Sequence, residues 1–420
     1  MLYLGPVSLV DCVAFCFFLA LELVRQVGFF PTAWVVLQAL PFLCLKVPLG
    51  LLYCRLPLER LASRIPFHKR SPFVRKSSLF EDLVIRCVRY AFANVPPKIG
   101  RVFMCREVVT PFLTFRLIRH GRWWRTPHCH EHVEVNWTAN PPSPLPPTRN
   151  QIQNGTDARQ PKSIFDSTLG GGFSMGSSFF YLEFLMTWVK MLEEAGYQSP
   201  AIFALEYTLV PDATFPTQLN EAFAGYEYVT SVVNDPQILC VSGDSAGGAL
   251  ALSLLLFLSR MADLAKQKDR QDRLGGYTAP GGPKMAILLS PWTTMISDKH
   301  QNTSSDFLNA TTLHEYARRY AGAKPVQDHL ISPGHCRNRS AWAGAGVGKF
   351  CFIYGSEEVL ATDIADFADY LARCDIEVET HVLPDAIHVW PVISLFLSSR
   401  EERRLEGLRA VVQSIRGTMK

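Results

Sequence analysis

The sequence has little charge and no cysteine motif. Only 19% of its 420 residues are charged and 48% are hydrophobic, a composition that excludes a disordered, collagenous or coiled-coil chain. Its 11 cysteines include no C-x-x-C pair and are odd in number, so neither a disulfide framework nor a zinc ribbon is expected. No internal repeat is present. The chain is long enough for one large domain with additional segments.

Charge divides the chain into three parts. Residues 1–54 carry two basic and two acidic side chains, whereas residues 55–126 carry 16 basic and four acidic ones, a net charge of +12. Because the whole chain is +4, residues 127–420 carry −8. An acidic body argues against nucleic-acid binding, and a basic stretch behind an apolar N-terminus suits an anionic membrane surface. We therefore expect a membrane anchor (1–54), a basic membrane-proximal or cap segment (55–126) and a main domain (127–420).

Two apolar stretches make up the N-terminal region. Two acids interrupt Val7–Val24, and three prolines and a lysine interrupt Phe29–Cys54. A transmembrane helix needs about 20 mostly apolar residues, so one span or a kinked hairpin is expected. The alternative is an apolar helix packed on the main domain. A cleaved signal peptide is disfavoured because none of the first 24 residues is Lys or Arg.

The sequence carries opposing signals for the membrane face. Seven basic residues between positions 55 and 76 follow the apolar region and favour the cytosol by the positive-inside rule. Five of the ten asparagines begin a glycosylation acceptor: Asn136, Asn154, Asn302, Asn309 and Asn338. We expect a glycosylated body in the endoplasmic reticulum lumen, with the cytosolic face as the alternative.

From about residue 127, short apolar runs alternate with longer helical stretches, which is typical of a mostly parallel sheet flanked by helices. The predicted strands are Ser163–Phe165, Ala201–Tyr207, Ile238–Ser242, Met285–Leu289, Phe350–Tyr354 and Val378–Leu383. The predicted helices are Phe179–Ala195, Gln218–Val233, Ala246–Lys266 and Thr312–Tyr320. His128, His130 and His132 precede Val133 on one face of a further strand. We interpret them as outward polar residues and expect no metal and no cofactor.

The segment Gly243-Asp-Ser-Ala-Gly247 follows an aliphatic strand and begins an Ala/Leu-rich helix. Glycines at both ends allow a turn tight enough to hold Ser245 with its hydroxyl exposed at the strand end. The dipole of the following helix would stabilise an oxyanion at the same place. Ser245 is therefore the predicted nucleophile.

Three glycines follow the first predicted strand, in Leu169-Gly170-Gly171-Gly172-Phe173. Residues without a Cβ leave their backbone N–H groups accessible, as the second wall of an oxyanion hole requires.

A serine nucleophile also needs a base and an acid on later loops, in the order acid then histidine. His388 comes just after the strand that ends at Leu383 and is the predicted base, whereas His381 lies within that strand and is interpreted as structural. Glu357, Glu358 and Asp363 follow the preceding strand and compete for the role of acid.

These motifs resemble the hormone-sensitive-lipase-like branch of the α/β-hydrolases over about residues 160–395. Gly243–Gly248 matches the GDSAGG elbow of that family, Gly170–Gly172 its HGGG loop, and Tyr207–Pro216 its tyrosine-to-FP segment. The resemblance implies an α/β-hydrolase fold with a helical cap. It favours Glu358, because the family acid begins an acid-x-Leu step. It also implies Gly171, Gly172 and Ala246 as oxyanion donors, with Gly170 and Asp244 in support.

One position departs from the family. Leu169 stands where relatives carry the histidine that holds the glycine loop by hydrogen bonds, so packing is expected to hold the loop here. Phe307–Tyr320 and the basic segment 55–126 are expected to form the cap.

The predicted triad implies a serine esterase that works through an acyl-enzyme. Its expected attachment to a membrane and its cap suggest an apolar ester: a lipid ester, a steryl ester or an acylated secondary metabolite. One alternative is a non-catalytic ligand receptor on the same fold, as in the plant gibberellin receptors, which resemble this family. The other is an acyltransferase that uses the same residues.

Overall fold

The computed structural model describes residues 4–55, 72–120, 133–137, 163–233, 235–271 and 281–419. Its sheet has seven strands, all parallel, in the order β1-β3-β2-β4-β5-β6-β7. The strands are β1 Val133–Trp137, β2 Ser163–Thr168, β3 Pro200–Glu206, β4 Leu239–Asp244, β5 Met285–Leu289, β6 Lys349–Gly355 and β7 Val378–Leu383. The prediction of a mostly parallel sheet is confirmed.

Helices cover both faces of the sheet, so an interior strand such as β5 can be a continuous apolar run. Every residue of β5 is buried. Seven helices precede the sheet in the described residues: α1 Leu9–Gln26, α2 Phe29–Pro41, α3 Val47–Arg55, α4 Pro72–Lys76, α5 Leu79–Asn94, α6 Pro97–Met104 and α7 Arg106–Arg119. A π-helical turn, Phe42–Lys46, joins α2 to α3.

The later helices alternate with the strands. They are α8 Ser178–Glu194, α9 Thr217–Val233, α10 Ser245–Gln271, α11 Ala310–Ala321, α12 Arg339–Gly344, α13 Ala361–Arg373, α14 Trp390–Leu397 and α15 Glu401–Thr418. The four predicted helices correspond to α8, α9, α10 and α11. Helices α4–α7 and α12–α15 were not predicted from the sequence.

The first apolar stretch does not behave as a membrane span. Helix α1 packs on α6 and α7, and the fully buried Asp11 carboxylate lies 2.9 Å from Arg119 Nη2 of α7. By length and composition, the helices that qualify as spans in the described residues are Phe29–Leu51 and Ser245–Gln267. The second belongs to α10 in the core and is 61% buried, so Phe29–Leu51 is the candidate anchor.

Asp166 in β2 gives a prediction about stability. Burial raises its pKa from 3.8 to about 7, and none of the described residues donates a hydrogen bond to its Oδ1. A folded-state pKa above the unfolded one means that stability falls as pH rises from about 4 to 7, by up to about 4 kcal/mol. Asp166→Asn cannot ionise, so its free energy of unfolding should not fall over this pH range. We expect the free energy of unfolding of the variant to exceed that of the wild type by an amount that grows between pH 5 and 7 and is constant at higher pH. Denaturant unfolding at pH 5, 6, 7 and 8 measures this, and a difference independent of pH would contradict it.

Candidate active site

Ser245 lies at the junction of β4 and α10, in a backbone conformation that its neighbours enforce. Its φ is +52°, in the left-handed region. A Cβ on Gly243 would come within 2.5 Å of the Gly247 carbonyl oxygen, and one on Gly247 within 2.1 Å of the Thr168 carbonyl oxygen. Only glycine fits at both positions, so the turn holds Ser245 at the carboxyl end of the central strand.

The structure brings Ser245, His388 and Glu358 into one hydrogen-bonded line. His388 Nε2 lies 2.8 Å from Ser245 Oγ, and His388 Nδ1 lies 2.7 Å from Glu358 Oε2. Glu358 Oε1 accepts a hydrogen bond of 3.0 Å from the Gly355 N–H. All three side chains are largely buried. This is the geometry that passes a serine proton to an imidazole held by a carboxylate.

Burial determines the charge state of the base. It lowers the pKa of His388 below 6.5, because the charged imidazolium loses hydration. Burial therefore favours the neutral imidazole, whose Nε2 can accept a hydrogen bond from the Ser245 hydroxyl. Burial raises the pKa of Glu358, which hydrogen bonds from the Ser290 hydroxyl and the Gly355 N–H oppose.

The competing acids lie elsewhere. Asp363 Oδ2 lies 3.2 Å from His300 Nε2 and is not part of the Ser245 line. Glu357 accepts a hydrogen bond of 3.0 Å from the Ser305 hydroxyl. His381 contacts Glu379 at 2.6 Å, on β7. The loop after β6 turns Glu358 alone of the three acids towards His388.

The glycine loop has the backbone that three consecutive glycines allow. Gly171 and Gly172 have φ angles of +124° and +61°, and a Cβ on Gly172 would lie 2.7 Å from Tyr316 Cδ2. Neither N–H donates to a described residue. Ala246 is the second residue of α10, so its N–H is among those without a partner inside the helix. These groups are the available oxyanion donors.

Hydrogen bonds replace the histidine that this loop lacks. The Gly170 N–H donates to Asp244 Oδ1 at 2.8 Å, and the Tyr181 hydroxyl donates to Asp244 Oδ2 at 2.7 Å. The Tyr207 hydroxyl donates to the Leu169 carbonyl oxygen at 2.7 Å. The loop is therefore held by these hydrogen bonds as well as by the expected packing, since the Leu169 side chain is buried in the core.

Asp306 is a residue of the site that sequence reasoning missed. Its side chain is fully buried, and its Oδ1 accepts hydrogen bonds from the N–H groups of Phe307 and His388, at 2.8 and 3.2 Å. Its Oδ2 accepts one of 2.8 Å from the Val359 N–H. One carboxylate thus joins the loop of the acid to the loop of the base. No motif or spacing marks it, since two of its three partners, the N–H groups of Val359 and His388, are distant in sequence.

Three helices cover the glycine loop. Tyr320 of α11 stacks on Phe173 with ring centroids 3.6 Å apart, and Tyr316 meets Phe92 of α5 edge to face at 5.3 Å. Helix α6 contacts the loop through Arg101, whose Nε donates to the Ser174 carbonyl oxygen at 3.3 Å. Parts of both segments expected to form the cap therefore lie over the site.

Two cavities lie near these elements. One of about 600 Å³ lies between α10 and residues 327–341, away from Ser245. The other, of about 270 Å³, is bordered by Ala386 and Ile387 beside the His388 loop. Since Ser245 is 8% exposed and His388 2% exposed, the triad itself lies in a closed state.

A cluster on β6 and β7 has the composition of a metal site. Cys351, Glu379 and His381 bring ligand atoms within 4.8 Å of one another. Lys349 Nζ lies 2.6 Å from Glu379 Oε2, so an ammonium group already supplies the positive charge there. We interpret the cluster as an ion pair. The histidines 128, 130 and 132 lie outside the described residues.

Three glycosylation candidates lie at the described surface. Asn302 and Asn338 are exposed, and Asn309 is half-buried. Each accepts a backbone hydrogen bond through Oδ1: Asn302 from Ala310, Asn309 from Thr312 and Asn338 from Ser340. Asn136 lies in β1, and Asn154 lies outside the described residues.

Comparisons with known proteins agree with the fold. A family model described as the alpha/beta hydrolase fold matches residues 169–392. An acetyl-hydrolase of Streptomyces hygroscopicus is 26% identical over 194 residues, 45% of this chain and 57% of that protein. Neutral cholesterol ester hydrolase 1 of Pongo abelii is 31% identical over 129 residues, 29% of this chain and 27% of that protein.

The chain spans less than two thirds of the length of these curated relatives. Among solved structures, an esterase of the bacterial hormone-sensitive lipase family superimposes with a TM-score of 0.55 at 19% identity, over 82% of this chain and 99% of that one. The predicted resemblance to the hormone-sensitive-lipase-like branch is confirmed. This chain belongs to the α/β-hydrolase fold family.

Proposed function

We propose that this protein is a serine ester hydrolase that works through an acyl-enzyme. The observation that carries the proposal is the line of contacts from Ser245 Oγ through His388 to Glu358, at 2.8 and 2.7 Å. The names of its relatives, an acetyl-hydrolase and a cholesterol ester hydrolase, support ester chemistry.

Each residue has a defined part in the proposed reaction. Ser245 Oγ attacks the ester carbonyl carbon while His388 Nε2 takes its proton. The carbonyl oxygen becomes an oxyanion that accepts hydrogen bonds from the N–H groups of Gly171, Gly172 and Ala246. His388 then protonates the departing alcohol, which leaves an acyl group on Ser245. A water molecule, deprotonated by the same imidazole, releases the acid and restores Ser245.

The surroundings of Ser245 favour an apolar substrate. Phe173, Trp292, Phe307 and Tyr316 belong to the buried apolar core around the triad and the glycine loop. We propose an ester whose alcohol or acyl part is apolar: a lipid ester, a steryl ester or an acylated secondary metabolite.

We further propose that Phe29–Leu51 anchors the protein in a membrane, with the basic segment 55–126 next to it. The three described glycosylation candidates each engage their side-chain oxygen and not the nitrogen that carries a glycan, which supports a lumenal body. The nine described cysteines are all free thiols, the usual state in the cytosol. The cytosolic face is therefore the alternative that an experiment must decide.

Labelling with a fluorophosphonate tests both proposals in one sample. Membranes containing the full chain are treated with the probe, with and without glycosidase, and the modified peptide is identified by mass spectrometry. We expect a single adduct on Ser245 and a decrease in apparent mass after deglycosylation. Heat-denatured protein is the control and should not react, because the hydroxyl is activated only by folded-state contacts.

The outcomes separate the alternatives. A folded protein that does not react would contradict the hydrolase proposal and favour a non-catalytic receptor. Labelling without a mass shift would place the enzyme on the cytosolic face.

A further inference from the structure

Helix α1 exposes apolar residues and buries acidic ones, whereas a helix on the surface of a soluble protein buries its apolar side. From residue 9 to residue 24 every exposed residue is apolar, and we call these residues the outer face of α1: Leu9, Val10, Val13, Cys16, Phe17, Ala20, Leu21 and Val24. Phe17 is 59% exposed and Val13 70%. The acidic residues of the helix, Asp11 and Glu22, are buried on the inner side.

The inner side is firmly attached to the rest of the protein. Asp11 pairs with Arg119, and Leu19 and Leu23 pack in one cluster with Ile99 and Val102 of α6. Just before the helix, the Val7 N–H donates to the Phe396 carbonyl oxygen at 3.0 Å, and Arg404 Nη2 donates to that of Leu4 at 3.0 Å. A crossing by α1 would take the Asp11–Arg119 pair on its inner side into the hydrocarbon core, where charged groups are costly.

The outer face of α1 is followed along the chain by the candidate anchor. Phe29–Leu51 begins three residues after α1 ends, has a mean hydropathy of 1.7 and is 6% buried. Both of its ends connect to the same folded body, since α1 precedes it and the Tyr90 hydroxyl of α5 donates to the Gln38 carbonyl oxygen within it at 3.1 Å. The exposed Arg25 and Gln26 end this apolar surface at the last turn of α1. An apolar surface followed by such a segment fits one partner best, the acyl-chain region of a bilayer.

We propose that the outer face of α1 lies within the surface layer of the membrane and that Phe29–Leu51 enters the same leaflet beside it. This rests on the membrane anchor proposed above and extends it, because it sets how the catalytic domain sits on the bilayer. Helix α6 lies between α1 and the glycine loop: Arg101 Nε of α6 donates to the Ser174 carbonyl oxygen, and Met175 lies 3.2 Å from where a Cβ on Gly100 would be. The placement therefore sets the glycine loop on the side of the catalytic domain that faces the bilayer.

Tryptophan quenching in vesicles tests this placement without reference to catalysis. Full-length Phe17→Trp protein is reconstituted into phosphatidylcholine vesicles with brominated acyl chains, and its added emission is taken as the difference from wild type. The matched control is Leu264→Trp, which replaces a 51% exposed leucine on α10. We expect brominated lipid to reduce the added emission of Phe17→Trp at least about twofold and aqueous acrylamide to leave it unchanged, with the reverse for Leu264→Trp.

Flotation of the same vesicles distinguishes the failures. Protein that does not float with the lipid would overturn the anchor and this proposal together. If the Phe17→Trp protein floats and acrylamide quenches its added emission, the outer face of α1 lies in water. If neither quencher reduces the added emission, the outer face is covered by protein, such as a second copy. Either result would overturn the placement of α1 and leave the anchor intact.

Discussion

Ser245→Ala is expected to lower kcat for ester hydrolysis by about five to six orders of magnitude. The substitution removes the only side-chain atom placed 2.8 Å from His388 Nε2 among the described residues, and with it the covalent route through an acyl-enzyme. The N–H groups of the glycine loop remain, so a small residual rate above that in water is expected. Hydrolysis of a p-nitrophenyl ester by purified protein in detergent measures the loss.

Ser242→Ala is the matched control. Ser242 lies three residues earlier on β4 and is also buried, and its hydroxyl has no hydrogen-bond partner among the described residues, so its removal should leave both fold and rate unchanged. Melting curves of both variants confirm that each is folded. If Ser245→Ala retained more than about a hundredth of the wild-type rate, the activity would come from another group and the proposed mechanism would be wrong.

Glu358→Gln is expected to lower kcat by about three to four orders of magnitude. The amide has the same shape but no charge, so it cannot stabilise the imidazolium that forms when His388 takes the Ser245 proton. An amide N–H facing His388 Nδ1 would also favour the tautomer that carries its proton on Nε2, where it cannot accept one. The substrate KM should change little, because Glu358 is buried behind His388.

Asp363→Asn provides the comparison that decides the identity of the acid. Asp363 also follows β6 but lies 3.2 Å from His300, so its amide variant should retain kcat within a few-fold. Stopped assays of both variants under the same conditions give the ratio directly. A larger loss in Asp363→Asn than in Glu358→Gln would assign the acid to Asp363 in the working enzyme.

The glycine loop illustrates how one missing hydrogen-bonding residue is compensated. With Leu169 in place of histidine, the backbone of the loop is held by Asp244 and Tyr207, each from a strand end that faces it. Asp244 follows directly from the elbow motif, so the same turn that holds Ser245 also orients Gly170. A leucine at this position is therefore compatible with an ordered oxyanion loop.

The two candidate acids show where sequence reasoning reached its limit. Glu358 and Asp363 both follow β6 by a few residues, and neither spacing nor residue type separates them; the likeness to a family favoured Glu358. The structure separates them physically, since Glu358 precedes α13 and reaches His388, whereas Asp363 lies in the first turn of that helix and is directed to His300.

Local sequence patterns were enough to predict the parallel sheet, the elbow and the glycine loop. The sheet follows from short apolar strands, and the elbow and loop follow from glycines at positions where a Cβ would collide.

The role of Asp306 and the orientation of the apolar side of α1 became visible only in the folded structure. Asp306 acts on backbone groups more than fifty residues away, at Val359 and His388. In the sequence, α1 resembles a membrane span. Its packing on α6 and α7 shows that its acidic residues are buried and that its apolar residues are exposed. Contacts between segments that are distant in sequence produce no periodic pattern, so they could not be predicted from the sequence.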